Sequence, residues 1–268
     1  MWFKIPEKYH AIDMHNHVWY DKEGKLDIPG VHRLLTSAER LGIEKVCVSL
    51  PLLTDRVTPE EFRRANDTVF EALEISDRLM GFVFVDPFYQ DEARSEIIRC
   101  VERGMAGVKL YHQFTIDDDA QKTVCDTAAE LGVPVLMHAG LGRDPETCSQ
   151  QPRLSNAQHF LNALEKFPDT TFIQGHIGGG GDWEWNLQVL RGIDSDRYYI
   201  DLSGSVTDAE IVRRTIDAVG VERVLWATDM SMEEGVAKLD AAQLSEDELH
   251  LVLHKNFERI LAKREAAK

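Results

Sequence analysis

Ile12-Asp13-Met14-His15-Asn16-His17 is a short apolar run that closes on two histidines spaced two apart. Read as the end of a β-strand, it orders the rest of the chain. Side chains alternate along a strand, so Asp13, His15 and His17 are expected on one face, and that face can line the inside of a barrel. Working outward from this first strand (11–15), seven further β-branched runs follow at 45–50, 81–85, 107–111, 133–138, 171–176, 198–202 and 223–227. Helical patterns near 31–41, 59–77, 91–103, 118–131, 154–166, 183–192 and 207–219 separate them, and another near 245–262 follows the last. Eight strands, each followed by a helix, predict an α/β fold of the (β/α)₈ TIM-barrel type. An open doubly wound sheet would show fewer strands and a glycine-rich turn after the first.

The punctuation agrees with this division. Thr58-Pro59-Glu60-Glu61 reads as an N-cap, a proline at the first helical position and acidic residues in the first turn. Gly42, Gly104, Gly132 and Gly220 each stand between a helical stretch and a strand, where C-cap glycines belong. A barrel of this kind takes about 250 residues, and no low-complexity linker or break in composition divides 1–268, so one domain is expected.

Thirty Lys and Arg against 46 Asp and Glu leave a formal net charge of −16. Phosphate backbones and anionic membrane surfaces attract basic proteins, so neither nucleic acid nor membrane is an expected partner. A small anionic substrate responds to its local site and stays open. No apolar run approaches the roughly 20 residues that cross a bilayer, and residues 1–10 lack the basic and apolar regions of a signal peptide; a cytoplasmic enzyme is expected. Cys47, Cys100, Cys125 and Cys148 form no CxxC pair, which leaves free, mostly buried thiols. The oligomeric state is left open, a homo-oligomer included.

Function in a barrel gathers at the C-terminal ends of the strands. His15 and His17 end strand one, Lys109 and Tyr111 strand four, His138 strand five and His176 strand six, and Asp229 follows strand eight. Each alone has a plain reading: a chance histidine pair, a hydrogen-bonded core histidine, a capping aspartate. Four histidines and an aspartate at one end of the same barrel point instead to a metal site, since imidazole nitrogen and carboxylate oxygen are the ligands zinc takes.

Four motifs then become specific. Ile12-Asp13-Met14-His15-Asn16-His17, Val135-Leu136-Met137-His138-Ala139-Gly140, Gly175-His176-Ile177-Gly178-Gly179-Gly180 and Leu225-Trp226-Ala227-Thr228-Asp229 resemble, in this order, the strand-end motifs of the amidohydrolase superfamily. The likeness is to the branch of aminocarboxymuconate semialdehyde decarboxylase and many small metal-dependent hydrolases, and it spans almost the whole chain. Lys255-Asn256-Phe257 resembles that branch's closing helix, with Phe257 where a small residue is usual. The resemblance implies that His15, His17, His138 and Asp229 hold a divalent metal, with zinc expected, manganese the alternative, and one ion favoured over two.

It also implies roles. A divalent ion activates water at neutral pH; Asp229 can take and pass on the proton, and His176 can polarise the attacked carbonyl or bind a second metal. Asp13 is expected behind the ligands, not among them. Lys109, His112 and Arg143 are candidates to bind a substrate carboxylate. Lys109 is expected to stay an ammonium rather than become a carbamylated bridge between two ions. Gly178–Gly181 reads as close loop packing near Trp183 and Trp185, since no Lys-Ser/Thr follows to make a P-loop. The expected activity is metal-dependent hydrolysis of a small, carboxylated ester, lactone or amide. The alternative is non-oxidative decarboxylation or hydration within the same branch, and a barrel that binds without catalysis is the third reading.

Overall fold

The computed structural model describes residues 4–141, 145–204 and 210–266, without the side chains of 147, 265 and 266. Eight parallel strands run in sequence order around one sheet: β1 Ile12–His17, β2 Lys45–Ser49, β3 Leu79–Phe84, β4 Gly107–Leu110, β5 Val135–His138, β6 Phe172–Gly175, β7 Tyr198–Asp201 and β8 Val224–Leu225. The ring closes where Met14 N–H donates to Trp226 O (3.3 Å) and Asp229 N–H donates to His15 O (2.9 Å). The expected (β/α)₈ barrel is therefore the fold.

Helices α1 (Ile28–Leu41), α2 (Pro59–Ile75), α3 (Gln90–Glu102), α4 (Lys122–Glu130), α5 (Pro145–Gln150), α6 (Ala157–Lys166), α7 (Trp183–Leu190), α8 (Glu210–Val219), α9 (Met232–Ala241), α10 (Glu246–His250) and α11 (Asn256–Ala266) surround it. The Thr58 signal is a full capping box with Glu61. Gly42 ends α1 at φ +78, and its N–H reaches the carbonyls of Ala38 and Glu39, the left-handed turn that favours glycine.

Two layers of core hold the barrel. Val46, Val83, Val108 and Val135 pack outward under the helices. Ile12, Cys47, Phe82, Leu136, Ile173, Tyr199 and Leu225 fill the inside, and Phe257 and Ile260 of α11 plug the lower end. Phe257, the odd residue of the closing motif, stands 6.4 Å from Phe82. Asn256 beside it donates to the carbonyls of Val221 and Val224 and ties α11 to β8.

Three expectations need correction. The region after β8 is a helix, α9, where no helix was expected; Gly235 in its middle weakens the sequence pattern. A Cβ at Gly235 would sit 2.7 Å from Thr228 Cγ2, so the glycine lets α9 press against the end of β8. The stretch 245–262 is not one regular helix either. A π-helical turn over Leu251–Lys255 interrupts it, and the carbonyl of Val252 accepts from Trp226 N–H (3.0 Å) instead.

The third correction concerns β1. Ile12 pairs with Lys45 and His17 with Ser49, with a register shift between Asp13 and Asn16. Ile12 and His17 are five residues apart, yet they pair with residues four apart, so β1 carries one extra residue, a β-bulge. Simple alternation of Asp13, His15 and His17 is broken. Ile12 and Met14 belong to the inner apolar cluster, while Asp13 turns to Thr228 and Asn16.

Candidate metal centre

The bulge delivers both histidines of β1 to the barrel mouth. His15 and His17 are 1% and 7% exposed, with their rings edge to face at 5.2 Å. His17 Nε2 lies 3.0 Å and His15 Nε2 4.0 Å from Asp229 Oδ1. Two donors each about 2.1 Å from one ion can be no more than about 4.2 Å apart, so these three residues fit one ion. His15, His17 and Asp229 are indeed a group able to hold a metal.

The other ring nitrogens are already engaged. His15 Nδ1 is 2.8 Å from Asp201 Oδ2, and His17 Nδ1 is 3.1 Å from Ser49 Oγ. Donation to Asp201 leaves the His15 Nε2 lone pair for the centre of the barrel, and the contact to Ser49 anchors the His17 ring with its Nε2 turned to Asp229. Burial lowers the pKa of His15 to about 4, with the nearby Lys109 ammonium adding to the effect. Burial lowers His17 as well. Both rings are neutral at pH 7, the form that binds a metal. Burial opposes ionisation of Asp229, but the positive charge that His15 and His176 can take up and the hydrogen bond from His17 outweigh it and hold its carboxyl well below the usual range.

His138 stands one step away. Its ring stacks on Tyr111 at 4.3 Å and its Nδ1 lies 2.9 Å from His176 Nε2. Its remaining nitrogen, Nε2, is the one available to an ion. Burial, reinforced by His176, holds its pKa well below the ordinary value. His176 Nε2 is in turn 3.6 Å from Asp229 Oδ2. The structure thus gathers three of the four expected ligands directly and brings the fourth alongside through His176.

Backbone strain marks the same residues. His176 has φ +75, Asp229 φ +43 and Met230 φ +77, a region that costs non-glycine residues about 1–3 kcal/mol and persists only when neighbours hold it. Asp201 Oδ1 accepts from His176 N–H (3.1 Å), and His15 O accepts from Asp229 N–H (2.9 Å).

Lys109 is wholly buried, and its Nζ donates to His15 Nε2 at 2.8 Å. Burial pushes its pKa down to about 8, against the pull of Asp229 and Asp201. It therefore competes for the very lone pair that an ion would take. His112 is buried instead of open to the mouth; its Nε2 donates to Leu53 O (3.2 Å), although its Nδ1 has no partner among the described residues. Arg143 lies outside the described residues.

A cavity of about 220 Å³ opens beside the centre, lined among others by His138, Gly140, Cys148, Gln151, His176 and Asp229. A second of similar volume, about 220 Å³, lies across His17, between Trp19, Leu34 and Met230. Gly178 serves close packing, because a Cβ there would meet Trp183 Cα at 2.7 Å, and Gly140 lies against the same loop, where a Cβ would meet Gly179 N at 2.2 Å. Sequence reasoning missed three residues here. Cys148, read only as a free thiol, lines the first cavity. Asp201 and Ser203 close β7, where a buried aspartate at a strand end was the available signal. No helix among the described residues is long and apolar enough to cross a membrane.

Solved structures share this architecture. A 2,6-dihydroxybenzoate decarboxylase from Rhizobium is 17% identical, with a TM-score of 0.73 over 94% of this chain and 98% of that one. A 5-carboxyvanillate decarboxylase from Novosphingobium aromaticivorans, complexed with manganese and a nitrobenzoic acid, is 17% identical, with a TM-score of 0.73 over 97% and 98%. A protein of Acinetobacter baumannii described as a 2-pyrone-4,6-dicarboxylic acid hydrolase is 13% identical, with a TM-score of 0.65 over 94% and 99%. At such identities the likeness establishes the fold. No curated protein matches the chain. The family model described as amidohydrolase matches residues 12–263, from the first strand to the closing helix. By fold, by the order of its strand-end motifs and by that match, the chain belongs to the amidohydrolase family.

Proposed function

We propose that the chain is a metal-dependent, non-oxidative decarboxylase of a small carboxylic acid, with one divalent ion, manganese or zinc, held by His15, His17, His138 and Asp229. The observation that carries this reading is burial. His15, His17, Lys109 and His176 are no more than 7% exposed, and the Asp229 side chain, at 25%, is the more open group. Drawing a carboxylate out of water raises its energy and favours loss of CO₂. A bound ion would supply a Lewis acid that fixes the substrate's oxygens and favours the developing charge.

The chain's own residues do the rest. The Lys109 ammonium supplies a buried positive charge for an anionic group. When the carbon–carbon bond breaks, its electron pair stays on the substrate carbon, which then takes a proton. Asp229 and His176, 3.6 Å apart at the cavity wall, are the groups placed to relay that proton. The two neighbours that act on carboxylated aromatic rings support an aromatic acid as substrate.

Hydrolysis of an ester, lactone or amide is the second reading. An ionised Asp229 beside the His17 nitrogen (3.0 Å) is also where a base for an attacking water would stand, and the pyrone-dicarboxylic acid hydrolase shares the fold. One experiment separates the two. The metal-loaded enzyme is given a panel of hydroxybenzoic and unsaturated acids, lactones and esters while CO₂ and released acid are both followed. CO₂ evolution from an acid supports the first reading. Acid release from a lactone or ester without CO₂ replaces it with the second.

A further inference from the structure

Asp201 is buried at the end of β7, and four hydrogen-bonding groups converge on it. Its Oδ2 is 2.8 Å from His15 Nδ1. Its Oδ1 accepts from His176 N–H (3.1 Å), Ser203 N–H (2.9 Å) and the Ser203 hydroxyl (2.5 Å). Ser203 Oγ lies in turn 2.9 Å from His176 Nδ1, and His176 Nε2 lies 2.9 Å from His138 Nδ1.

A hydroxyl has one proton. The carboxylate is both the stronger acceptor and the nearer one, so Ser203 gives its proton to Asp201 and must accept at Oγ from His176 Nδ1–H. With its proton on Nδ1, neutral His176 carries a lone pair on Nε2. The short contact to His138 then requires His138 to donate from Nδ1, which leaves the His138 Nε2 lone pair free. His15, donating its Nδ1 proton to the same carboxylate, keeps its Nε2 lone pair as well.

We propose that Asp201 is the positioning residue that prepares two metal ligands at once, His15 through Oδ2 directly and His138 through Oδ1, Ser203 and His176. The inference rests on reading His15 and His138 as ligands, and it assigns His176 a resting role as acceptor from His138 in place of the carbonyl-polarising donor expected from sequence. The group His15, His176 and Asp201, whose atoms lie close enough to hold an ion of their own, is on this account a hydrogen-bonded support.

The turn carrying Ser203 is built for the task. The buried Lys238 of α9 donates to the carbonyls on either side of that serine, Leu202 O (3.1 Å) and Gly204 O (3.3 Å). Gly204 has φ +104, and a Cβ there would press on the His176 ring, 3.0 Å from Nδ1. Only a glycine lets the turn lie against the imidazole. Backbone, side chain and a helix from the far side of β8 thus hold Ser203 at one distance from one nitrogen.

Proton positions can be read without any substrate. Histidine-selective ¹⁵N labelling of the metal-free protein, with long-range proton–nitrogen correlation, distinguishes protonated from bare ring nitrogens; spectra of H15N, H138N and H176N assign the signals. The wild type should show His15, His138 and His176 each protonated on Nδ1 alone. In S203A, His138 and His176 should lose their single tautomer while His15 keeps its own, and S203T should restore the pattern. In D201N all three should change. Zinc affinity of S203A, measured by chelator competition, should fall roughly 10- to 100-fold.

A wild-type His138 protonated on Nε2 would overturn the proposal, and that spectrum needs no variant to fold. So would an S203A spectrum identical to the wild type. Correct tautomers in an enzyme that releases no CO₂ would instead leave the relay standing and refute the decarboxylase reading.

Discussion

The two ends of the barrel interior are built on the same strands and do opposite things. At the lower end of β5, β7 and the β8 edge stand Leu136, Tyr199 and Ala227, all in the inner apolar cluster. Two residues further along each strand, on the same face, stand His138, Asp201 and Asp229. One step of strand geometry, about 6.6 Å, separates a packed hydrocarbon layer from a layer of imidazoles, carboxylates and an ammonium. The lower layer stabilises by excluding water from apolar surface. The upper layer carries buried charge and left-handed backbone at His176 and Asp229, which the lower layer must offset.

This contrast predicts that substitutions at the two ends fail in different ways. Asp229→Asn should lower turnover by about 10²–10⁴, because it removes an acid–base group together with a ligand. Its unfolding midpoint should move far less than that of a lower-layer variant. Steady-state kinetics and denaturant unfolding on one preparation check both halves. Phe82→Ala should do the reverse, costing about 3–5 kcal/mol of stability through a cavity beside Phe257, while activity per folded molecule stays within a few-fold. A Phe82→Ala enzyme that folds well but is dead would break the division of labour.

Lys109 sharpens the comparison, since it is a charge inside the barrel that costs stability. Burial lowers its pKa from 10.5 to about 8. Between these values the unfolded chain holds the proton and the folded chain releases it, so stability rises with pH across that window. Below about pH 8 the cost of the buried ammonium is present in full. Lys109→Met should therefore make the metal-free protein more stable at pH 7 and remove that rise between pH 8 and 10.5. Urea unfolding across the range measures it, and a wild-type curve already flat there would mean that the ammonium is well compensated.

A smaller effect lies outside the barrel. Arg213 and the Ser245 cap hold Glu248 of α10 down at about 2 from 4.5. Its contribution is present above pH 4.5 and lost as pH falls through 2. Glu248→Gln should lose it already at neutral pH, and the acid limbs of variant and wild type should converge at low pH. Parallel limbs would show that the ion pair contributes nothing.

What could be read in advance follows the same division. The lower layer and the helices around it were legible because short β-branched runs, caps and C-terminal glycines are local signals. The clustering of His15, His17 and Asp229, with His138 and His176 beside them, was legible too, since histidines and an aspartate at strand ends are unusual wherever the strands go. What escaped was anything set by contact between distant segments. The bulge of β1 exists only in its pairing with β2, so alternation alone placed Asp13 beside His15. Helix α9 was hidden by Gly235, which is there for the sake of Thr228. The π turn arises because Trp226 claims the Val252 carbonyl. Asp201 and Ser203 look like ordinary residues closing β7 until the fold sets them behind His15 and His176. His112, expected over the mouth, is turned down to Leu53 because the loop after β2 offers it a carbonyl.

The central claim is one metal ion held by four named side chains, with Lys109 left as an ammonium. Anomalous diffraction from crystals grown with excess Mn²⁺ and bicarbonate tests it most directly. The account predicts a single peak at the barrel mouth, bonded to Nε2 of His15, His17 and His138 and to a carboxylate oxygen of Asp229. Two peaks bridged by a carboxylated Lys109, or no peak at all between those residues, would contradict it.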